Sequence, residues 1–73
     1  MTTTDKIKEE YLNHTRKLLY DYPDVLRTFE QLWQSGKFRE AYICVDEAVR
    51  KLGIVLSSEQ RKADEAFYWE VVN

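Results

Sequence analysis

The sequence is poor in the side chains that most often carry chemistry, with one cysteine and one histidine among 73 residues. A single cysteine excludes an internal disulfide, and one cysteine plus one histidine cannot supply the ligands of a structural zinc site. No glycine-rich phosphate loop and no nucleophile motif is present. We therefore expect no catalytic residues, no cofactor and no metal, and we predict that the protein is not an enzyme.

Long apolar runs and blocks of one charge are also missing. No run approaches the roughly 20 apolar residues of a membrane span, and the polar start of the chain around Asp5 does not resemble a signal peptide. One unpaired cysteine suits a reducing compartment, so we expect a cytoplasmic protein without membrane contact. The net charge is −2 with both signs interspersed, which disfavours nucleic acid as a partner because phosphate binding needs clustered basic residues.

Helical periodicity is what the sequence does contain, most clearly between Phe38 and Leu52. The apolar residues there fall in one stripe roughly 120° wide, with the charged residues outside it. Gly36 and Gly53 flank the segment, as expected for helix ends. This pattern predicts a helix over residues 37–52.

Three further helices are predicted from the same spacing. The first is capped by Thr3 or Thr4, the second begins at Pro23, and the fourth is capped by Ser57 in a capping box with Gln60. Their predicted ranges are about 4–20, 23–34 and 58–71.

These elements predict one all-α domain over residues 1–73, a compact four-helix bundle with a central antiparallel helical hairpin. The hairpin follows from the tight turn Ser35-Gly36 between the second and third helices. The apolar link Ile54-Val55-Leu56 is expected to cross the core. Five tyrosines, three phenylalanines and two tryptophans give so short a chain the apolar area for a core.

Residues 33–52 resemble one tetratricopeptide-like helical hairpin. Gly36, Phe38, Ala41 and Ala48 match the spacing at which that family places its loop glycine, an aromatic residue and two small residues where the helices cross. The resemblance covers about the second half of one repeat. It implies a tight hairpin and, as a function, the binding of a peptide or protein.

The two chemically versatile side chains both have structural interpretations. His14 lies on the apolar side of the first helix, where a histidine usually makes one hydrogen bond at the edge of the core. Cys44 lies at the edge of the third helix's stripe, where a lone cysteine usually packs as a small apolar residue. A chemical role for either residue is left open.

Apolar area left over by the core is the more informative signal. Ile43 lies about 160° from the centre of its helix's stripe, and Phe67 and Trp69 point in nearly opposite directions on the fourth helix. A helix that is apolar all round is buried all round, and in 73 residues this favours a second chain. The residues predicted to form a protein interface are Tyr68, Trp69, Val72, Ile43 and Tyr20.

The predicted function is a small noncatalytic interaction or regulatory module that binds a protein partner, itself as a homodimer, or both. The alternative is a small helix-turn-helix-like DNA-binding regulator. Gly53 and Ile54 fit the turn of that motif, and Arg61 and Lys62 stand on the helix that would follow. Acidic residues on the same helix oppose phosphate binding.

Overall fold

The computed structural model describes residues 2–73 and contains no β-strand in that range. Four α-helices are followed by a five-residue π-helical turn, called the C-terminal turn below. This arrangement confirms the predicted all-α four-helix bundle. The bounds are α1 Thr3–Leu18, α2 Pro23–Gln34, α3 Phe38–Leu52, α4 Ser58–Phe67 and the C-terminal turn Tyr68–Val72.

Helix α1 begins and ends earlier than predicted. The cap is Thr2 rather than Thr3 or Thr4: its hydroxyl accepts from the Asp5 backbone N–H at 3.1 Å, and the Asp5 carboxylate accepts from the Thr2 N–H at 3.4 Å. This reciprocal pair is a capping box. The helix stops at Leu18 because Leu19 leaves helical geometry and is fully buried in the core.

Two of the predicted signals at helix ends are confirmed in the α2–α3–α4 region. Pro23 is the first residue of α2, where its missing N–H costs no hydrogen bond. Gly53 ends α3 with φ +67°, a left-handed conformation that strains other residues. Ser57 accepts from the Gln60 N–H at 3.1 Å, so half of the predicted capping box forms. The Gln60 side chain bonds elsewhere.

The link between α3 and α4 does not cross the core, contrary to the prediction. Val55 is 87% exposed, while Ile54 and Leu56 are half-buried. Exposure therefore alternates along the link, with Ile54 and Leu56 against the bundle and Val55 in solvent.

The bundle consists of two helix pairs, α2 with α3 and α1 with α4. The tyrosine ring of Tyr11 lies where they meet, stacked on Phe67 at 4.0 Å between centroids and within 6.1 Å of Phe29 and Tyr42. Sequence patterning did not predict that Thr15 and Gln60 would also be buried. The buried apolar residues are Tyr11, Leu19, Phe29, Ala41, Val45, Ala63 and Phe67.

Candidate protein-binding surface

Two of the five predicted interface residues, Tyr68 and Trp69, lie side by side on the surface. Their rings meet edge to face at 5.4 Å between centroids, with Trp69 61% exposed and Tyr68 38% exposed. Tyr42 of α3 joins them, with its ring 5.6 Å from that of Tyr68. We call these three residues the aromatic surface. The sequence pattern assigned Tyr42 to the core stripe of α3, so its half-exposed ring was missed.

The C-terminal turn carries two of these rings, those of Tyr68 and Trp69. The chain stays helical past Phe67 but changes from α to π hydrogen bonding, and the Asn73 N–H donates to the Tyr68 carbonyl at 2.8 Å. A π turn is wider than an α turn. Phe67 remains fully buried while the next two aromatic residues reach the surface.

The other three predicted residues do not join the aromatic surface. Val72 is half-buried and packs against the core cluster, because the C-terminal turn folds onto the bundle. Ile43 is exposed, as predicted, on α3. Tyr20 is 79% exposed, in the turn after α1 rather than in the predicted helix.

Tyr20 lies at the opposite end of the α1–α4 pair from Tyr68. His14 and Leu18 of α1 line one groove together with Ser57 and Gln60. The end of α1 therefore lies beside the start of α4, whereas Tyr68 follows the end of α4.

An open groove of about 350 Å³ borders the aromatic surface, between α3, the link and α4. Its apolar wall consists of the two tyrosine rings and Leu56. Four charged residues complete it, and three of them are acidic. The lining residues are Tyr42, Asp46, Leu56, Arg61, Asp64, Glu65 and Tyr68. We call this feature the carboxylate groove.

Asp64 has the most perturbed carboxylate of the groove. Partial burial raises its pKa to about 6, and repulsion by Asp46 adds to the rise. A hydrogen bond from the Gln60 amide, 2.6 Å from Nε2 to Oδ1, and the nearby His14 act in the opposite direction. Burial also raises the pKa of Tyr42, and the same two carboxylates reinforce that rise. Both shifts indicate a site that disfavours negative charge.

A small cavity of about 20 Å³ lies behind the groove and shares four lining residues with it, Tyr42, Asp46, Leu56 and Asp64. Tyr11 closes the cavity from the core side. Its hydroxyl is buried near the hydroxyl of Thr15, one helical turn further on, but neither group makes a hydrogen bond of good geometry. Burial raises the pKa of Tyr11 well above its usual value. A buried polar group without a partner is costly and marks a place to look for a ligand.

His14 and Cys44 lie on different faces of the molecule. Cys44 lines a groove between α2 and α3, and His14 lines the groove between α1 and the start of α4. Burial raises the pKa of the Cys44 thiol and Glu47 adds to the rise, which keeps the thiol protonated. Within residues 2–73, no three His, Cys, Asp or Glu side chains converge as metal ligands. In the same range, no helix is both long enough and apolar enough to cross a membrane.

The hairpin that resembles a tetratricopeptide unit forms as a tight antiparallel pair. Gly36 adopts φ +75° in its turn, and Ala41 is fully buried where α2 and α3 cross. Phe38 packs edge to face on Trp33 at 4.9 Å. Comparison of the chain with protein-family models, curated proteins and solved structures finds no significant match.

Proposed function

We propose that the chain is a noncatalytic protein-interaction module that binds a partner protein, or a second copy of itself, through the aromatic surface. The observation that carries this proposal is the exposure of Trp69, 61%, beside Tyr68 and Tyr42. Tryptophan and tyrosine dominate the energetics of protein interfaces because one residue covers a large area with few rotatable bonds. An exposed tryptophan beside two partly exposed tyrosines is a favourable anchor for a binding surface.

The size of the cluster indicates how much more surface a partner must cover. A buried aromatic side chain contributes about 150–250 Å², whereas a standard interface takes about 800 Å² from each partner. Of the three residues only Trp69 is more than half exposed, and Tyr42 and Tyr68 are partly buried. They can therefore anchor a partner, but the adjoining carboxylate groove must supply much of the remaining contact.

The separation of the chemically versatile groups supports a noncatalytic role. A nucleophile needs a base within hydrogen-bond reach, and Cys44 and His14 line different grooves. The raised pKa of Cys44 further lowers its nucleophilicity.

Trp69→Glu tests the proposal, with Val55→Glu as the matched control because Val55 is an exposed apolar residue of the α3–α4 link. Molar mass is measured by light scattering over a tenfold concentration range. If the wild-type chain dimerises, Trp69→Glu should give a monomer of 8.8 kDa, and Val55→Glu should not. Unchanged helical circular dichroism excludes unfolding as the cause.

If the wild-type chain is monomeric throughout, the same three proteins serve as bait in affinity capture. Proteins captured by the wild type and by Val55→Glu should be lost with Trp69→Glu. A Trp69→Glu chain that matches the wild type in both molar mass and captured proteins contradicts the proposal.

The helix-turn-helix alternative stays a prediction, and no contact within residues 2–73 favours it. Five residues, 53–57, separate α3 from α4, against three or four in that motif. Helix α4 packs mainly on α1, and its Asp64 and Glu65 line the carboxylate groove. Arg61→Ala with Lys62→Ala would weaken duplex binding only under this alternative.

A further inference from the structure

The carboxylate groove carries more negative charge than its own residues neutralise. Asp46 pairs with Arg50 on the same helix, 3.3 Å from Oδ2 to Nε, but that pair is largely exposed to solvent. Within residues 2–73, Asp64 and Glu65 take part in no ion pair. Arg61 is the one cationic residue among the groove's lining side chains. A positive group entering the groove would therefore meet an uncompensated carboxylate.

The tyrosine rings beside these carboxylates favour the same kind of ligand. The rings of Tyr42 and Tyr68 are 5.6 Å apart and inclined at 50°, so they form a splayed wall. The face of an aromatic ring carries partial negative charge and attracts cations. The protein already contains one such contact, with the Lys8 Nζ 4.4 Å from the centre of the Phe38 ring.

The cavity behind the groove adds a third, independent observation. Tyr11 is fully buried and lines this cavity beside Asp64, and its hydroxyl lies near that of Thr15 without forming a hydrogen bond of good geometry. A hydroxyl oxygen accepts hydrogen bonds, and a guanidinium offers five N–H donors in a rigid plane that also stacks on aromatic rings. About 20 Å³ is enough for one water molecule, through which a donor in the groove can reach the hydroxyl.

We propose that the carboxylate groove binds an arginine side chain presented by a segment of a partner protein, with Asp64 as its ion-pair acceptor and Tyr42 and Tyr68 as its stacking wall. This inference rests on the proposed function and names the partner's chemistry at the same surface.

A second copy of the chain does not suit the groove. A two-fold dimer through this surface would bring together two copies of a groove that has three carboxylates and one arginine, so the interface would gather excess negative charge. Like charges brought together in an interface are unfavourable. The charge of the groove therefore selects a basic partner.

Backbone amide NMR shifts of the full chain, titrated with short peptides, test this inference. The probes are acetyl-Gly-Gly-X-Gly-Gly-amide peptides in which X is arginine, norleucine or glutamate. The arginine peptide should give saturable shifts centred on Tyr42, Asp64 and Tyr68, and the other two should give none at the same concentration. Equal shifts from the norleucine peptide, or arginine shifts that map elsewhere, overturn the inference.

Asp64→Asn removes the charge and keeps an oxygen that can accept from Gln60. We expect this variant to bind the arginine peptide up to about fivefold more weakly, the range of a partly exposed ion pair. Asp24→Asn is the matched control, because Asp24 is an exposed carboxylate at the start of α2. Wild-type affinity in Asp64→Asn, or an equal loss in Asp24→Asn, overturns the inference.

Lowering the pH gives a further check, since protonation of Asp64 near pH 6 removes the acceptor's charge. Wild-type affinity for the arginine peptide should fall between pH 7.5 and pH 5, and that fall should be absent in Asp64→Asn. The variant separates Asp64 from the other polar groups around it, namely Tyr11 and His14 of α1, Tyr42 and Asp46 of α3, Gln60, Arg61 and Glu65 of α4, and Tyr68. A pH dependence that persists in Asp64→Asn contradicts the assignment of the acceptor.

The peptide titration tests the groove inference and the Trp69→Glu experiment tests the proposed function, so either can be contradicted without the other. If arginine and norleucine peptides behave alike while Trp69→Glu still abolishes association, the groove inference is wrong and the proposed function stands. If Trp69→Glu changes neither molar mass nor captured proteins, the proposed function is wrong whatever the peptides do.

Discussion

The two helix pairs of the bundle bury different kinds of groups. The buried residues of α2 and α3 are all apolar, namely Phe29, Ala41 and Val45. The α1–α4 pair also buries Thr15, Gln60 and the Tyr11 hydroxyl. Apolar contacts stabilise a fold without any requirement for partners, whereas each buried polar group needs one. The difference indicates that the α2–α3 hairpin stabilises the fold. The α1–α4 pair, which lies beside the candidate site, contributes less stability because it buries polar groups.

Phe67→Ala is expected to have the largest effect, because this residue joins the two pairs. Its ring stacks on Tyr11 at 4.0 Å and lies 5.5 Å from Trp33 of the hairpin. Truncating a fully buried phenylalanine costs about 3–5 kcal/mol, a large share of the stability of a small domain. Urea denaturation followed by circular dichroism measures the loss.

Tyr68→Ala is the matched control for that substitution, since Tyr68 is the next aromatic residue and is 38% exposed. The free energy of unfolding should fall by less than about 2 kcal/mol, because part of the Tyr68 side chain is already in water. Equal losses for the two substitutions would mean that Phe67 does not link the helix pairs.

Tyr11→Phe should act in the opposite direction. It removes the buried hydroxyl that has no partner and keeps the ring that stacks on Phe67. An unpaired buried polar group costs about 1–3 kcal/mol, so the variant should be more stable by roughly 1 kcal/mol. The same urea titration measures this gain, and a loss of stability would show that the hydroxyl is hydrogen-bonded, to Thr15 or to water in the cavity.

Local patterns predicted the hairpin well, because its signals are short-range. Pro23 and Gly53 act on their own backbone, and the apolar spacing between Phe38 and Leu52 fixes one face of one helix. Burial of Thr15 and Gln60 could not be predicted in this way. It depends on how α1 and α4 meet, and these helices are far apart in the chain.

The candidate surface was predicted in part for the same reason. The exposure of Trp69 follows from its direction on the helix relative to Phe67, which a sequence shows directly. Val72 was expected at the surface, but the π turn changes the hydrogen bonding after Phe67 and brings Val72 against the core. Tyr42 was assigned to the core because its spacing fits the stripe of α3. Its position beside Tyr68, in the lining of the groove, shows that part of this residue also faces the surface.

An effect of similar size to that of Tyr11→Phe is the contribution of Asp64 to the pH dependence of stability. A carboxyl whose pKa is raised in the folded state stabilises the fold at low pH, where it is protonated, and this contribution is lost as pH rises through the folded value. For Asp64 that window runs from its ordinary value of 3.8 to about 6. After allowance for solvent screening of a half-exposed group, the loss is about 1 kcal/mol.

Asp64→Asn isolates this contribution from that of the other carboxylates. The free energy of unfolding, measured in urea between pH 4 and pH 7, should fall less steeply with rising pH in Asp64→Asn than in the wild type. The two curves should converge near pH 4, where Asp64 is protonated in the folded wild-type protein. Parallel curves would mean that Asp64 is as well solvated as an ordinary surface carboxylate. In that case Asp64 would not count among the polar groups that the α1–α4 pair buries. The contrast with the apolar α2–α3 hairpin would then depend on Tyr11, Thr15 and Gln60 alone.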